Sequence, residues 1–290
     1  MHNSPGPSPN SVLTLRLHSG LSGDMFLAGL LCMQAQPQDE LDALTDGLLR
    51  GLVPERAAEL AGAVRLVPHS VQGIGGWQAR VALPHEHAHR NLADIQALIR
   101  QSPLQERARE LALDAFGRVA HAEAAVHGKA LDEVHFHEVG ALDSIVDICL
   151  TCELFVRLAP GALVVSPLPL ADGSVTCAHG VLPVPAPAVL HMLEGMPVRP
   201  FPGEGETITP TAIALLQALG ANFGPWPHMR VKRCALVYGT RLFPHAPNGA
   251  TFALGEALAA PCAPCGREHG HEHGHGHGHG HAHGHGHCHG

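Results

Sequence analysis

From His269 to Gly290 the chain sets a histidine at every second position, and this stretch limits what can enter a fold. His269, His271, His273, His275, His277, His279, His281, His283, His285, His287 and His289 alternate mostly with glycine, interrupted by Glu272, Ala282 and Cys288. Such a segment has almost nothing to bury, so it cannot offset the entropy of ordering and is expected to stay disordered. What it offers is imidazole at high local concentration on a flexible backbone, a donor set that suits zinc, copper, iron and nickel. A purification tag is the bland alternative, although tags are usually uninterrupted histidine runs. The tract indicates a divalent transition metal without saying which one, or whether the task is storage, transport or insertion. Any core must therefore come from upstream. The expected organisation is a disordered leader at 1–11, a folded part at 12–258, and a Pro/Cys linker with the metal-binding tail at 259–290.

The chain has 290 residues, 45% of them hydrophobic, which suffices for one large domain or two small packed ones. A formal charge of -8 without a basic patch argues against a nucleic-acid partner. The opening residues carry no Lys or Arg and no apolar run, unlike a signal peptide, and no segment approaches the ~18 apolar residues of a membrane span. A soluble, cytoplasmic protein is expected, and association into a homo-oligomer stays open. Its eight cysteines do not follow the spacing of a disulfide scaffold. Cys149 and Cys152 fall in an apolar helical stretch and read as buried structural thiols. Cys262 and Cys265 form a CxxC pair, half of a zinc site or a redox pair.

Pattern and punctuation place the elements. Val12 to Leu17 reads as a strand running into the loop HSGLSGDM (18–25), then an apolar helix over Met25–Met33 and a second over Asp39–Leu49. Val64–Val71 and Gln78–Leu83 read as a strand pair around the turn GIGGW (73–77). Asn91 is placed to cap an amphipathic helix, and a long alanine-rich helix covers Leu104–Val126. VHFHEVGALDSIVDI (134–148) starts as a short strand and continues as a helix to about Leu158. A strand at Leu163–Val165 precedes a rigid, proline-rich, non-helical crossing, with a helix beginning near Ala186. A further helix carries Pro210 in its first turn. Met229–Val237 and Ala250–Leu254 should be the last strands. This mixture predicts an α/β (mixed α+β) architecture.

Several residues are candidates for chemistry. His135 and His137, two apart on extended backbone, share a face and can chelate one ion, with Glu138 adjacent. Asp143 and Asp147 stand at i, i+4 on one helix face. The competing reading makes these histidines core or capping residues and the aspartates solvated. His85, His87 and His89 alternate on a loop and read more readily as exposed than as ligands. Asp24 is either a helix cap or a functional carboxylate, and His179 either a proton-transfer or ligand residue or a hydrogen-bonded structural one. Thr207, Thr209 and Thr211 can bind phosphate at a helix N-terminus or serve as ordinary capping threonines. Neither a P-loop nor a G-x-G-x-x-G motif is present, which excludes a P-loop GTPase.

Six blocks, taken in order, resemble the LarC family of nickel insertion proteins. They are SGLSGDMFLAGLL (19–31), HRNLADIQALI (89–99), AEAAVHG (122–128), VHFHEVGALDSIVDI (134–148), HGVLPVPAPA (179–188) and TPTAIALL (209–216). The resemblance implies insertion of Ni(II) into a pyridinium bisthiocarboxylic acid mononucleotide, giving a carbon–nickel bond flanked by two sulfurs, with CTP hydrolysed to CMP and pyrophosphate. For that chemistry we assign Asp24, His135, His137, Glu138, Asp143 and His179 to nickel delivery or proton removal and Thr207, Thr209 and Thr211 to the nucleotide, as expectations read from these residues rather than from the family. Family members continue past the histidine segment into a nucleotide-binding domain, in some cases joined only by a programmed frameshift. This chain is therefore expected to work with a C-terminal LarC domain, in trans or by frameshift, that handles CTP. It departs from the family at Ala212, where glycine is usual, and near Tyr238, where a glycine-rich stretch shrinks to Gly239–Thr240. A non-catalytic nickel reservoir, and a metal-dependent hydrolase using His135, His137 and Asp143, are the alternatives.

Overall fold

An apolar strand feeding an apolar helix through a glycine-rich loop forms the centre of the structure. The computed structural model describes residues 10–34, 38–58, 60–83, 90–136, 140–177 and 180–259. β1 (Ser11–Leu17) leads into α1 (Gly23–Gln34) and α2 (Gln38–Leu52), followed by the hairpin β2 (Val64–Val71) and β3 (Ile74–Val81). Next come β4 (Arg90–Asn91), α3 (Leu92–Gln101), α4 (Glu106–His127), β5 (His135–Phe136) and α5 (Leu142–Leu158). β6 (Ala162–Val165), β7 (Leu168–Asp172), β8 (Ser174–Cys177) and β9 (Gly180–Pro183) precede α6 (Pro187–Met192). The described part ends with β10 (Val198–Glu204), α7 (Pro210–Ala218), β11 (Asn222–Phe223), β12 (Met229–Val237) and β13 (Ala250–Ala257). Met1–Leu258 form one compact unit and Ala259–Gly290 a second, of which only Ala259 is described.

The main sheet among the described residues is ordered β11-β6-β1-β13-β12-β3-β2. β13 is antiparallel to both β1 and β12, while β6 is parallel to β1 and β12 is parallel to β3. β1, β6, β12 and β3 therefore run in one direction, and their carboxyl ends open along one edge. Ligands in open α/β sheets commonly bind at that edge.

Alternation on β1 explains its burial on both faces. Leu13, Leu15 and Leu17 enter the core, while Thr14 and Arg16 face the other way and are also buried. Arg16 donates to Gly224 O at 2.8 Å and to Pro225 O at 3.2 Å, with its guanidinium 5.2 Å from the centre of the Trp226 ring. On the core face, α1 lies so close to the sheet that a Cβ on Gly29 would stand 2.3 Å from the Phe252 ring. Gly29→Ala gains up to about 1 kcal/mol in helix propensity, but overpacking here costs about 1–3 kcal/mol. A net loss is expected, read as a lower urea midpoint without a change in slope.

The structure modifies two sequence expectations. The hairpin turn is Gln72–Gly73 rather than 73–77, since both residues take positive φ (52° and 81°), as a two-residue turn requires. The proline-rich crossing is non-helical, as expected, but it is built from strands: β7 pairs with β10, and β8 with β9. Pairs at a sheet edge tolerate proline's missing N–H, so proline content hid them. Asn91 does cap α3, with its side chain and that of Asp94 bonded reciprocally to backbone N–H groups. Cys149 and Cys152 are fully buried, and burial pushes the Cys149 thiol up to about 12.

Candidate functional site

The loop after β1 is pinned from three sides. His18 and Ser19 donate their backbone N–H groups to Gly249 O at 3.1 and 3.2 Å, and Gly249 N–H donates to Ser19 Oγ at 2.9 Å. Arg199 donates to the carbonyls of Leu17 and His18 at 2.7 and 2.8 Å. Burial and the neighbouring Arg199 charge hold the His18 imidazole below its usual range, and its Nε2 lies 2.8 Å from Thr251 Oγ1. Farther along, Leu21 N–H donates to Thr207 O at 3.0 Å and Thr209 N–H to Leu21 O at 3.2 Å. Only glycine fits beside this seam at position 20, because a Cβ there would sit 1.6 Å from Thr207 O at a φ of +136°.

This loop delivers Asp24 to a cavity. The register of β12 with β3 includes the pair Val237–Trp77, after which the chain following β12 turns away while β3 runs on. A cavity of 530 Å³ opens there. Gln78, Arg80 and their neighbours on β3 form one part of its lining, Asp24, Asp143 and Asp147 another, with Thr240 from the loop after β12. α1 begins at Gly23, so Asp24 sits inside the first turn rather than at the cap, and it accepts a hydrogen bond from the Ser22 hydroxyl. Asp143 and Asp147 reach the cavity from one face of α5, as their spacing predicts.

The three carboxylates differ in environment. Asp143 is exposed and accepts the Ser144 N–H at 2.7 Å. Burial raises the Asp24 pKa, while hydrogen bonds from Ser22 and the local backbone pull it back. Asp147 is extreme. Its Oδ1 is buried without a hydrogen-bond partner among the described residues, and its Oδ2 lies 3.0 Å from where a Cβ on Gly23 would be. Burial pushes the Asp147 carboxyl well above its ordinary range, and the charges of Asp24 and Asp143 push it further. A carboxylate so placed favours whatever brings it positive charge, a proton or a cation. Among the described residues, no group of three or more His, Cys, Asp or Glu is arranged to hold a metal ion.

A smaller cavity of 120 Å³ shares Thr240 with the first and is lined by Ser22, Glu206, Thr207, Thr209 and Arg241 among others. The Thr207 hydroxyl donates to Pro169 O at 2.6 Å, and Thr209 Oγ1 caps α7 by accepting the Ala212 N–H at 3.3 Å. Thr211 is buried, with its methyl 3.1 Å from a Cβ placed on Gly23, and does not line this cavity. The backbones of Thr207 and Thr209 thus hold the loop, and the Thr209 side chain caps α7.

His135 is described only through its backbone, paired with Asn91 in β4–β5. His137, Glu138, His179, the loop histidines His85, His87 and His89, and the tail histidines lie outside the described residues. Conversely, Gln78 and Arg80 reach the cavity without having been singled out, and Thr240 had been named only as part of Gly239–Thr240, where this chain shortens the family's glycine-rich stretch.

Comparison with known proteins completes the picture. The nickel insertion protein family matches residues 13–275. A pyridinium-3,5-bisthiocarboxylic acid mononucleotide nickel insertion protein of Desulfitobacterium hafniense (strain DSM 10664 / DCB-2) is 41% identical over 226 residues, 77% of this chain and 53% of the relative. A protein of the same description from Geobacillus kaustophilus is 36% identical over 252 residues, 84% of this chain and 60% of the relative. The chain thus spans between about half and three fifths of the length of these relatives. No solved structure matches it significantly. The ordered sequence blocks, the matched profile and these relatives agree: the chain belongs to the nickel insertion protein family.

Proposed function

We propose that this chain takes part in inserting Ni(II) into pyridinium-3,5-bisthiocarboxylic acid mononucleotide, and that the aspartate-lined cavity is where the insertion occurs. The observation that carries the reading is Asp147, a half-buried residue at the cavity wall whose Oδ1 is buried without a hydrogen-bond partner among the described residues, beside two further carboxylates. Forming a carbon–nickel bond requires a ring C–H bond to break. Its electron pair goes to nickel, and the proton needs an acceptor of raised basicity. Asp147 suits that task, because burial and the two neighbouring aspartates raise its basicity above that of an ordinary carboxylate. Asp24 and Asp143 add negative potential, which draws both the divalent cargo and the cationic pyridinium ring into the cavity.

In this reading the tail histidines collect nickel and feed it inward, with His135, His137, Glu138 and His179 as further candidates along the way. CTP hydrolysis belongs to a C-terminal LarC domain acting with this chain, in keeping with the additional length of the relatives. Among the described residues, no helix is long and apolar enough to cross a membrane, and Cys32, Cys149, Cys152 and Cys234 are free thiols, which fits a reducing cytoplasm. The test combines the chain with the precursor and nickel, with and without CTP and the C-terminal part, and follows the nickel adduct by mass spectrometry. The adduct should form with all components present. Its absence from every combination would remove the insertase reading.

A further inference from the structure

Opposite charges line the 530 Å³ cavity. Asp24, Asp143 and Asp147 come from α1 and α5, whereas Arg80 comes from β3. Arg80 is exposed and makes no hydrogen bond or ion pair with another described residue. Thr240, from the loop after β12, adds a hydroxyl to the same lining.

The next step rests on the reading of the substrate as a pyridinium mononucleotide. Such a molecule is positive at its ring nitrogen and negative at its phosphate ester. A cavity with carboxylates on two helices and a guanidinium on a strand can accept both groups, and its volume falls within the about 300–1,000 Å³ of small-molecule sites. We propose that Arg80, helped by the Thr240 hydroxyl, binds the phosphate monoester of the mononucleotide and so turns the pyridinium ring toward Asp147. Arginine's planar fork can present two parallel N–H donors to phosphate oxygens.

Arg241 is the nearest rival but is already engaged. It donates to Glu204 O at 3.2 Å and lies over the Phe243 ring at 5.8 Å. The helix start at Thr209 is a weaker claimant, since its hydroxyl oxygen already accepts the Ala212 N–H.

The test is calorimetric binding to the full chain, free of metal, at a pH where the tail imidazoles are neutral. The probes are nicotinate mononucleotide, nicotinate riboside and ribose 5-phosphate. The two phosphate-bearing probes should bind the unaltered chain, and Arg80→Ala should weaken both by about 10–100-fold, the loss of a charged hydrogen-bonded contact. Binding of the riboside should not change, Arg80→Lys should recover part of the loss, and Arg241→Ala should leave all three unaffected. An unchanged thermal midpoint shows that Arg80→Ala has kept the fold. Equal loss for the riboside would overturn the proposal, as would a loss caused by Arg241→Ala and not by Arg80→Ala. Failure of the phosphate-bearing probes to bind the unaltered chain better than the riboside would also overturn it. Because no nickel is present, these results stand apart from the insertion assay.

Discussion

Asp147→Asn is expected to lower nickel insertion by on the order of 10²–10⁴-fold, the range for removing a general base, while leaving the fold at pH 7 at least as stable as before. The two halves of this expectation have one cause. Burial, Asp24 and Asp143 raise the Asp147 pKa in the folded chain above its unfolded value. As pH rises from about 4, the reference for an unfolded aspartate, the unfolded chain gives up this proton before the folded one does. The unfolded state then binds fewer protons, so stability falls with rising pH until the folded carboxyl also ionises. Asparagine has nearly the same shape and cannot ionise, so it mimics the protonated acid and removes this pH-dependent loss. Among the described residues, the charged groups that act on this carboxyl are Asp24 from α1 and Asp143 from α5. Urea unfolding at pH 5 and pH 8 tests the stability half: the wild-type chain should lose more stability between the two than the variant. A variant that is destabilised at pH 8 while still inserting nickel at the normal rate would show that Asp147 is a structural acid and not the base.

The fold was largely legible because local signals agreed with burial. β12 begins and ends at Met229 and Val237, as read from the sequence, and Asn91 caps the helix its position predicted. What the sequence hid depends on distant parts of the chain. Nothing local distinguishes Arg80 from any other exposed strand arginine. It becomes notable because β12 parts from β3 beyond Trp77, some 160 residues away in sequence, and leaves a cavity beside it. Asp24 and Asp143 were legible as candidates through their motifs. The weight carried by Asp147 was not, since the i, i+4 spacing shows a shared face but not that one oxygen is buried without a partner. For the threonines the sequence left phosphate binding and capping open, and in the structure the Thr207 hydroxyl donates to Pro169 O while Thr209 Oγ1 accepts the Ala212 N–H.

Gly20→Ala is the second substitution with a large expected effect, because it acts on the seam that holds Asp24 in place. An added Cβ would stand 1.6 Å from Thr207 O, a backbone atom that cannot rotate aside, at a φ of +136° where L-residues are strained. The loop has to move, and movement breaks the Leu21–Thr207 and Thr209–Leu21 hydrogen bonds. Strain of about 1–3 kcal/mol and two backbone bonds of about 0.5–1.5 kcal/mol each give a loss of about 2–6 kcal/mol. Ser22 and Asp24 follow directly, so insertion activity should fall in chain that remains folded at low temperature. Gly128→Ala supplies the comparison. Gly128 also has a positive φ, +61°, at the end of α4, but a Cβ there meets nothing within 4 Å. That substitution should cost only the left-handed strain of about 1–2 kcal/mol and leave activity intact. Equal losses of stability from the two alanines, with activity preserved in both, would mean that the seam does not position the carboxylates and that Asp24 is held by α1 alone.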